Sequence, residues 1–108
     1  MKEKIKAVAK SNPQGFTINI GSGEHVLDGY AVAYDVTQDS FDDAGLKKCI
    51  EHAKNNGGII GGWYNSENER YYYDSIMIID DVNDAMNQAR EEKQIAIFNL
   101  SSKEEIRL

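Results

Sequence analysis

The sequence predicts an α+β fold, a two-layer α/β sandwich, and three observations carry that expectation. A central stretch from Gly57 to Asp80, GGIIGGWYNSENERYYYDSIMIID, has two apolar and aromatic arms around the polar join 65–70, the composition of a β-hairpin with an exposed loop. On either side of it, Leu46, Cys49, Ile50 and Ala53, and then Val82, Ala85, Met86 and Ala89, repeat one i, i+3, i+4, i+7 apolar stripe, the mark of a helix lying on a sheet. Strand-like segments at 30–36 and 94–100 complete the order strand, helix, strand, strand, helix, strand. Right-handed crossovers turn this βαββαβ order over residues 30–100 into a ferredoxin-like core with both helices on one face of the sheet.

Taken in order, residues 1–12 place Ile5, Val8 and Ala9 at spacings of three and four among lysines. They read as a basic flexible arm or a short helix, since an isolated helix of this length is marginal in water. Pro13 ends that segment, and residues 13–108 form a single domain. Phe16, Ile18 and Ile20 alternate with polar residues as in a half-buried strand added at the N-terminal edge, and GSGE at 21–24 makes a turn. In YAVAYDV, Tyr30, Val32, Tyr34 and Val36 make a bulky face, and Ala31, Ala33 and Asp35 a small one that admits close packing. Ser40 is the expected N-cap of the first core helix, with Asp42 and Asp43 in its first turn, where a carboxylate gains ~0.3 to 1 kcal/mol from the helix dipole. Asn56 or Gly57 stops that helix, and Asp80 or Asp81 caps the next. The terminal KEEIRL adds a C-terminal edge strand through Ile106 and Leu108.

A chain of 108 residues makes one core-bearing domain. Its single cysteine, Cys49, leaves no intrachain disulfide and suits a reducing cytoplasm. No run approaches the ~20 apolar residues of a spanning helix, and the lysine-bearing start lacks the pattern of a signal peptide, so no membrane association is expected. The net charge of −6 is unevenly spread: four lysines against Glu3 give residues 1–12 a charge of +3, which leaves −9 on the rest. An acidic body repels phosphate backbones and attracts basic surfaces, so direct nucleic-acid binding is not expected.

Few residues invite chemistry. Gly57, Gly58, Gly61 and Gly62 do not form a phosphate loop, because they enter a strand rather than open a helix and no Lys-Ser/Thr follows. Glycines in a strand mark a bulge or the close approach of a bulky neighbour. Trp63, Tyr64, Tyr71, Tyr72 and Tyr73 concentrate aromatic surface on the hairpin, suited to cross-strand packing, a protein interface or a flat ligand. Asp74 interrupts an apolar strand, where an unpaired charge is costly, so it is expected to face solvent or to hold a partner such as Ser75, Arg70 or a backbone donor. Trp63, Tyr64, Tyr71, Tyr72, Tyr73 and Asp74 thus form the candidate binding surface. His25, His52 and Cys49 fit no metal-ligating or catalytic constellation, and no metal or cofactor is implied.

NPQGFT, GYAVAY, GGWYNSENERYYYDS and QIAIFNL before EIRL together resemble a family of small bacterial, phage and mobile-element proteins sharing GFT, GYAVA, GGW, YxDS and QxAIxxL landmarks. The resemblance spans the chain after residue 12. It brings no activity with it, and implies one compact unit and an accessory role. The leading functional expectation is a non-enzymatic, acidic protein-binding accessory factor, encoded by a phage or mobile element and acting on a basic host protein. One alternative is a small-molecule-binding or catalytic domain using the glycine and aromatic surface around 61–64 and Asp74. Others are a DNA-mimicking inhibitor of a defence nuclease and a homo-oligomer joined through the open sheet face.

Overall fold

The hairpin is the spine of the sheet. In the computed structural model, which describes residues 1–108, β4 (Ile59–Asn65) and β5 (Arg70–Ile79) pair antiparallel up to Asn65 and Arg70. Between them, Asn65 Oδ1 accepts from the Glu67 amide and Asn68 Oδ1 from the Arg70 amide, while Glu69 takes a left-handed φ of 57°. Short side-chain acceptors satisfy turn amides that strand pairing leaves free.

Around this spine stand β1 (Phe16–Asn19), β2 (Tyr30–Ala33), β3 (Ser40–Phe41), β6 (Ala96–Asn99) and β7 (Glu104–Arg107), in the order β1-β4-β5-β2-β6-β7. The run β4-β5-β2-β6 is the ferredoxin-like order, and β1 and β7 extend it at both edges, as the sequence predicts. Every pairing is antiparallel, and β3 adds a two-residue bridge to β5.

The helices α2 (Asp42–Lys54) and α3 (Val82–Glu91) cover one face of the sheet, and α1 (Lys2–Ser11) lies beside α2. Residues 1–11 are therefore not isolated from tertiary packing, which is where most helical stability in proteins originates. Ile5 is 1 % exposed and Ala9 is buried beside it. Lys6 reaches Asp43 at 3.0 Å and Lys2 reaches it at 3.7 Å, so part of the basic charge of α1 is held against α2. The Lys6 ammonium holds the Asp43 carboxyl below its ordinary range. The Tyr71 hydroxyl donates to the Asn12 carbonyl at 2.7 Å and ties the end of the helix to the hairpin.

Two sequence expectations differ locally. The strand expected over 30–36 stops at Ala33 and turns into a 3-10 segment, Asp35–Thr37, which leaves Val36 exposed. Ser40 does not cap α2. It pairs with Tyr73 in β3, its hydroxyl is buried without a hydrogen-bond partner, and the helix begins after an extended Phe41. The reason lies at Gly45: a Cβ there would stand 2.5 Å from the Ser40 carbonyl carbon, so the chain before α2 is drawn onto the first helical turn itself. The cap of α3 is as expected, with Asp81 Oδ1 accepting from the Asn83 and Asp84 amides at 2.9 and 3.0 Å.

The covered face holds two separate apolar clusters. Ten buried residues from α1, β1, α2, β4 and β5 form the larger, including Ile5, Ile18, Leu46 and Ile60. Four form the smaller: Val32, Ala85, Ala89 and Ile97, beneath α3.

Candidate functional site: the open face of the sheet

Alternation along each strand decides which residues face away from the helices. Ile18, Ile60 and Ser75 form one cross-strand row toward α2, as do Phe16, Gly62 and Tyr73. The intervening row, Thr17, Gly61 and Asp74, faces the other way, as do the Ala33–Ile76, Ala31–Ile78 and Trp63–Tyr72 pairs. Ala31 also pairs with Phe98 and so brings that ring to the same face.

This open face is not flat. A trough of about 800 Å³ crosses it from β1 to β6, floored by Thr17, Ala31, Ala33, Gly61, Asp74 and Ile76. Trp63 stands toward one side and Phe98 toward the other, and Val26 and Leu27 of the β1–β2 connection also line it. Two alanines and a glycine give a shallow apolar bed because they present little or no side chain. The small face of YAVAYDV, expected to admit close packing, is the middle of this bed.

Asp74 lies on that floor. Its side chain is half-buried on this open face and takes neither of the expected side-chain partners. Ser75 points to the opposite face, where its hydroxyl shares a 2.7 Å hydrogen bond with His52 Nδ1. Arg70 is drawn to Asp42 at 4.0 Å and over the Phe41 ring at 4.2 Å. Its cross-strand neighbour Gly61 has no side chain to offer. Burial, reinforced by the nearby Asp39 carboxylate, pushes the Asp74 carboxyl up to about 7 from 3.8. A carboxyl can thus lie unpaired in an apolar bed by retaining its proton to near-neutral pH.

The other candidate residues divide between the two faces. Trp63 and Tyr72 stack on the open side with ring centroids 5.4 Å apart, and Trp63 is 46 % exposed. Tyr64, Tyr71 and Tyr73 point to the helix side; Tyr73 is buried in the larger cluster, Tyr71 packs partly against it and Tyr64 remains exposed. Gly62 makes room for them: a Cβ there would lie 2.7 Å from Phe16 Cε1 and 2.8 Å from Tyr71 Cε1. The strand glycines thus admit bulky neighbours, with Phe16 supplying bulk that lies far from the hairpin in sequence.

No family model, curated protein or solved structure matches this chain. His52 and Ser75 form a pair that sequence spacing did not reveal, with Tyr34 edge-on to the imidazole at 4.6 Å. Ser75 is fully buried, which closes its hydroxyl to any substrate and makes the pair a polar link between α2 and β5. The thiol of Cys49 is likewise buried, and desolvation pushes it up to about 11, the opposite of an activated nucleophile. No helix is long and apolar enough to cross a membrane.

Proposed function

We propose that this protein is a binding domain for a small molecule held in the trough on the open face of its sheet. The observation that carries the reading is the unpartnered Asp74 carboxyl on a floor otherwise made of Ala31, Ala33, Gly61, Thr17 and Ile76. An apolar bed with one placed polar group is the usual make-up of a ligand site: burial gives affinity and the polar group fixes orientation. His25, Lys103 and Glu105, the other titratable groups lining the trough, are exposed at its rim, which favours binding over acid–base chemistry on the floor.

A soluble-metabolite screen read by thermal shift and by Trp63 fluorescence tests this proposal. Trp63 is the only tryptophan and lines the trough, so its emission reports on that site. The expected result is a compound that moves both signals in the native protein and neither in Ala33→Phe, whose ring fills the bed. A compound that stabilises both proteins equally binds elsewhere and refutes the assignment.

A second reading, an acidic accessory factor that docks on a basic protein, has its own support in the exposed Trp63 and Tyr64 at the end of the hairpin and in the net charge of −6. Pull-down from a lysate eluted with a salt gradient tests it. That reading requires a basic protein released by salt and lost in Trp63→Ala; retention unchanged in high salt refutes it.

A further inference from the structure

We propose that the ligand of the trough is a flat apolar molecule bearing a protonated nitrogen, an arylalkyl amine or an aromatic amidine, with the nitrogen seated on Asp74. The proposal rests on the trough being a small-molecule site and specifies its chemistry.

Four features point to a cation. The carboxyl receives no hydrogen bond or ion pair from the protein, so its acceptor capacity is free for a ligand. Its row neighbours across the sheet are Gly61, which has no side chain, and Thr17, whose hydroxyl is uncharged; the row holds no competing cation. The bed of Ala31, Ala33 and Ile76 offers a planar frame apolar contact without hydrogen bonds, and Trp63 and Phe98 place aromatic rings toward its two sides. An ammonium or amidinium near such rings gains cation–π attraction. The protein's charge of −6 adds a field that draws cations and repels anions.

The pH dependence follows from the same carboxyl. Ionised Asp74 alone in the bed is unfavourable, and an ionised ligand nitrogen removes that penalty. Affinity for a cation therefore rises as pH passes upward through about 7, where Asp74 loses its proton. The other titratable groups facing the trough or the carboxyl are Asp39 from the loop before β3, His25 from the β1–β2 connection, Lys103 just before β7 and Glu105 on β7. Asp39 and Glu105 reinforce attraction of a cation, although Glu105 also holds Arg107 at 3.2 Å; Lys103, and His25 when protonated, oppose it. Comparison with Asp74→Asn separates the floor carboxyl from all of these.

The test uses three probes of one shape: benzamidine, benzamide and benzoate, each titrated against the full chain at pH 8.0 and 5.5 with Trp63 emission and melting temperature as readouts. Expected is at least a tenfold preference for benzamidine over benzamide at pH 8.0, shrinking to about threefold or less at pH 5.5 and absent in Asp74→Asn. Asn keeps the shape of Asp, and the pH profile of the native protein gives the same answer without a variant. Equal binding of benzamidine and benzamide at pH 8.0, or a benzamidine affinity unchanged in Asp74→Asn, overturns the cation assignment while leaving the trough a ligand site. If none of the three moves either signal at millimolar concentration, the trough reading falls and the cation assignment falls with it.

Discussion

Gly45→Ala sets helix propensity directly against packing. Gly45 lies inside α2, where alanine is favoured by up to about 1 kcal/mol, so from the sequence alone the substitution stabilises. The structure reverses the sign. A Cβ at position 45 would stand 2.5 Å from the Ser40 carbonyl carbon, 3.0 Å from its Cα and 3.2 Å from its Cβ, whereas ordinary contact begins at 3.4 Å, so the backbone at Ser40 must retreat by about 0.9 Å. That backbone is pinned. Ser40 pairs with Tyr73, and three residues earlier the Thr37 hydroxyl accepts the buried Ser75 amide at 3.0 Å. Overpacking costs ~1–3 kcal/mol and each weakened buried hydrogen bond about 1 kcal/mol, so after the propensity gain a net loss of about 2 kcal/mol is expected. With ~2.1 cal/mol/K of unfolding entropy per residue, the loss lowers the melting temperature by roughly 9 °C. Differential scanning calorimetry of Gly45→Ala beside the exposed Ala44→Gly checks it, the control losing about 1 kcal/mol by propensity alone. A Gly45→Ala melting temperature at or above that of the native protein refutes the packing argument.

Further outcomes are expected. Ile5→Ala, which opens a cavity under α1, is expected to destabilise by ~2–4 kcal/mol in urea, whereas an undocked arm would show no change. Asp74 is held up to about 7 in the folded chain against 3.8 otherwise, so the folded state keeps a proton that the unfolded state has lost between those values. That contribution to stability is complete below about pH 4 and gone above about 7; Asp74→Asn should match the native protein at pH 4 and melt higher at pH 8, by on the order of 1.4 kcal/mol for each tenfold difference in proton affinity between the folded and unfolded chain. A stability gap between the two that stays constant with pH would contradict this. The Cys49 thiol, buried and pushed up to about 11, is expected to resist iodoacetamide in the native state at pH 8 and to react only at the rate of unfolding, followed by mass spectrometry.

The architecture was legible because each core element carries its own period: the stripes from Leu46 to Ala53 and from Val82 to Ala89, and the two arms of the hairpin, are local patterns that need no partner to be read. What depends on distant neighbours was not. Ser40 has the side chain of a cap, yet Gly45 lets its backbone approach so closely that the hydroxyl turns inward. Phe16 fills the space over Gly62 from a strand more than forty positions away. For the candidate site, Asp74 stood out as an interruption of an apolar strand, and the small face of Ala31 and Ala33 was visible in the alternation. That the two belong to one trough depends on the order β4-β5-β2-β6, which sets β2 beside β5.

The unequal apolar clusters beneath the helices bear on how the trough moves. With ten buried residues on one side and four on the other, the part made of α3, β6 and β7 is the one expected to open first, as a local unit, while α1, α2 and the hairpin stay closed. The trough straddles that division: Asp74, Gly61 and Trp63 belong to the stable part, Phe98 and Ala96 to the looser one. A ligand resting on both would act as a brace between two units of different lifetime. Its presence would be written in slowed amide hydrogen exchange along β6 and β7, while the deep amides of β4 and β5 would keep the rates they already have.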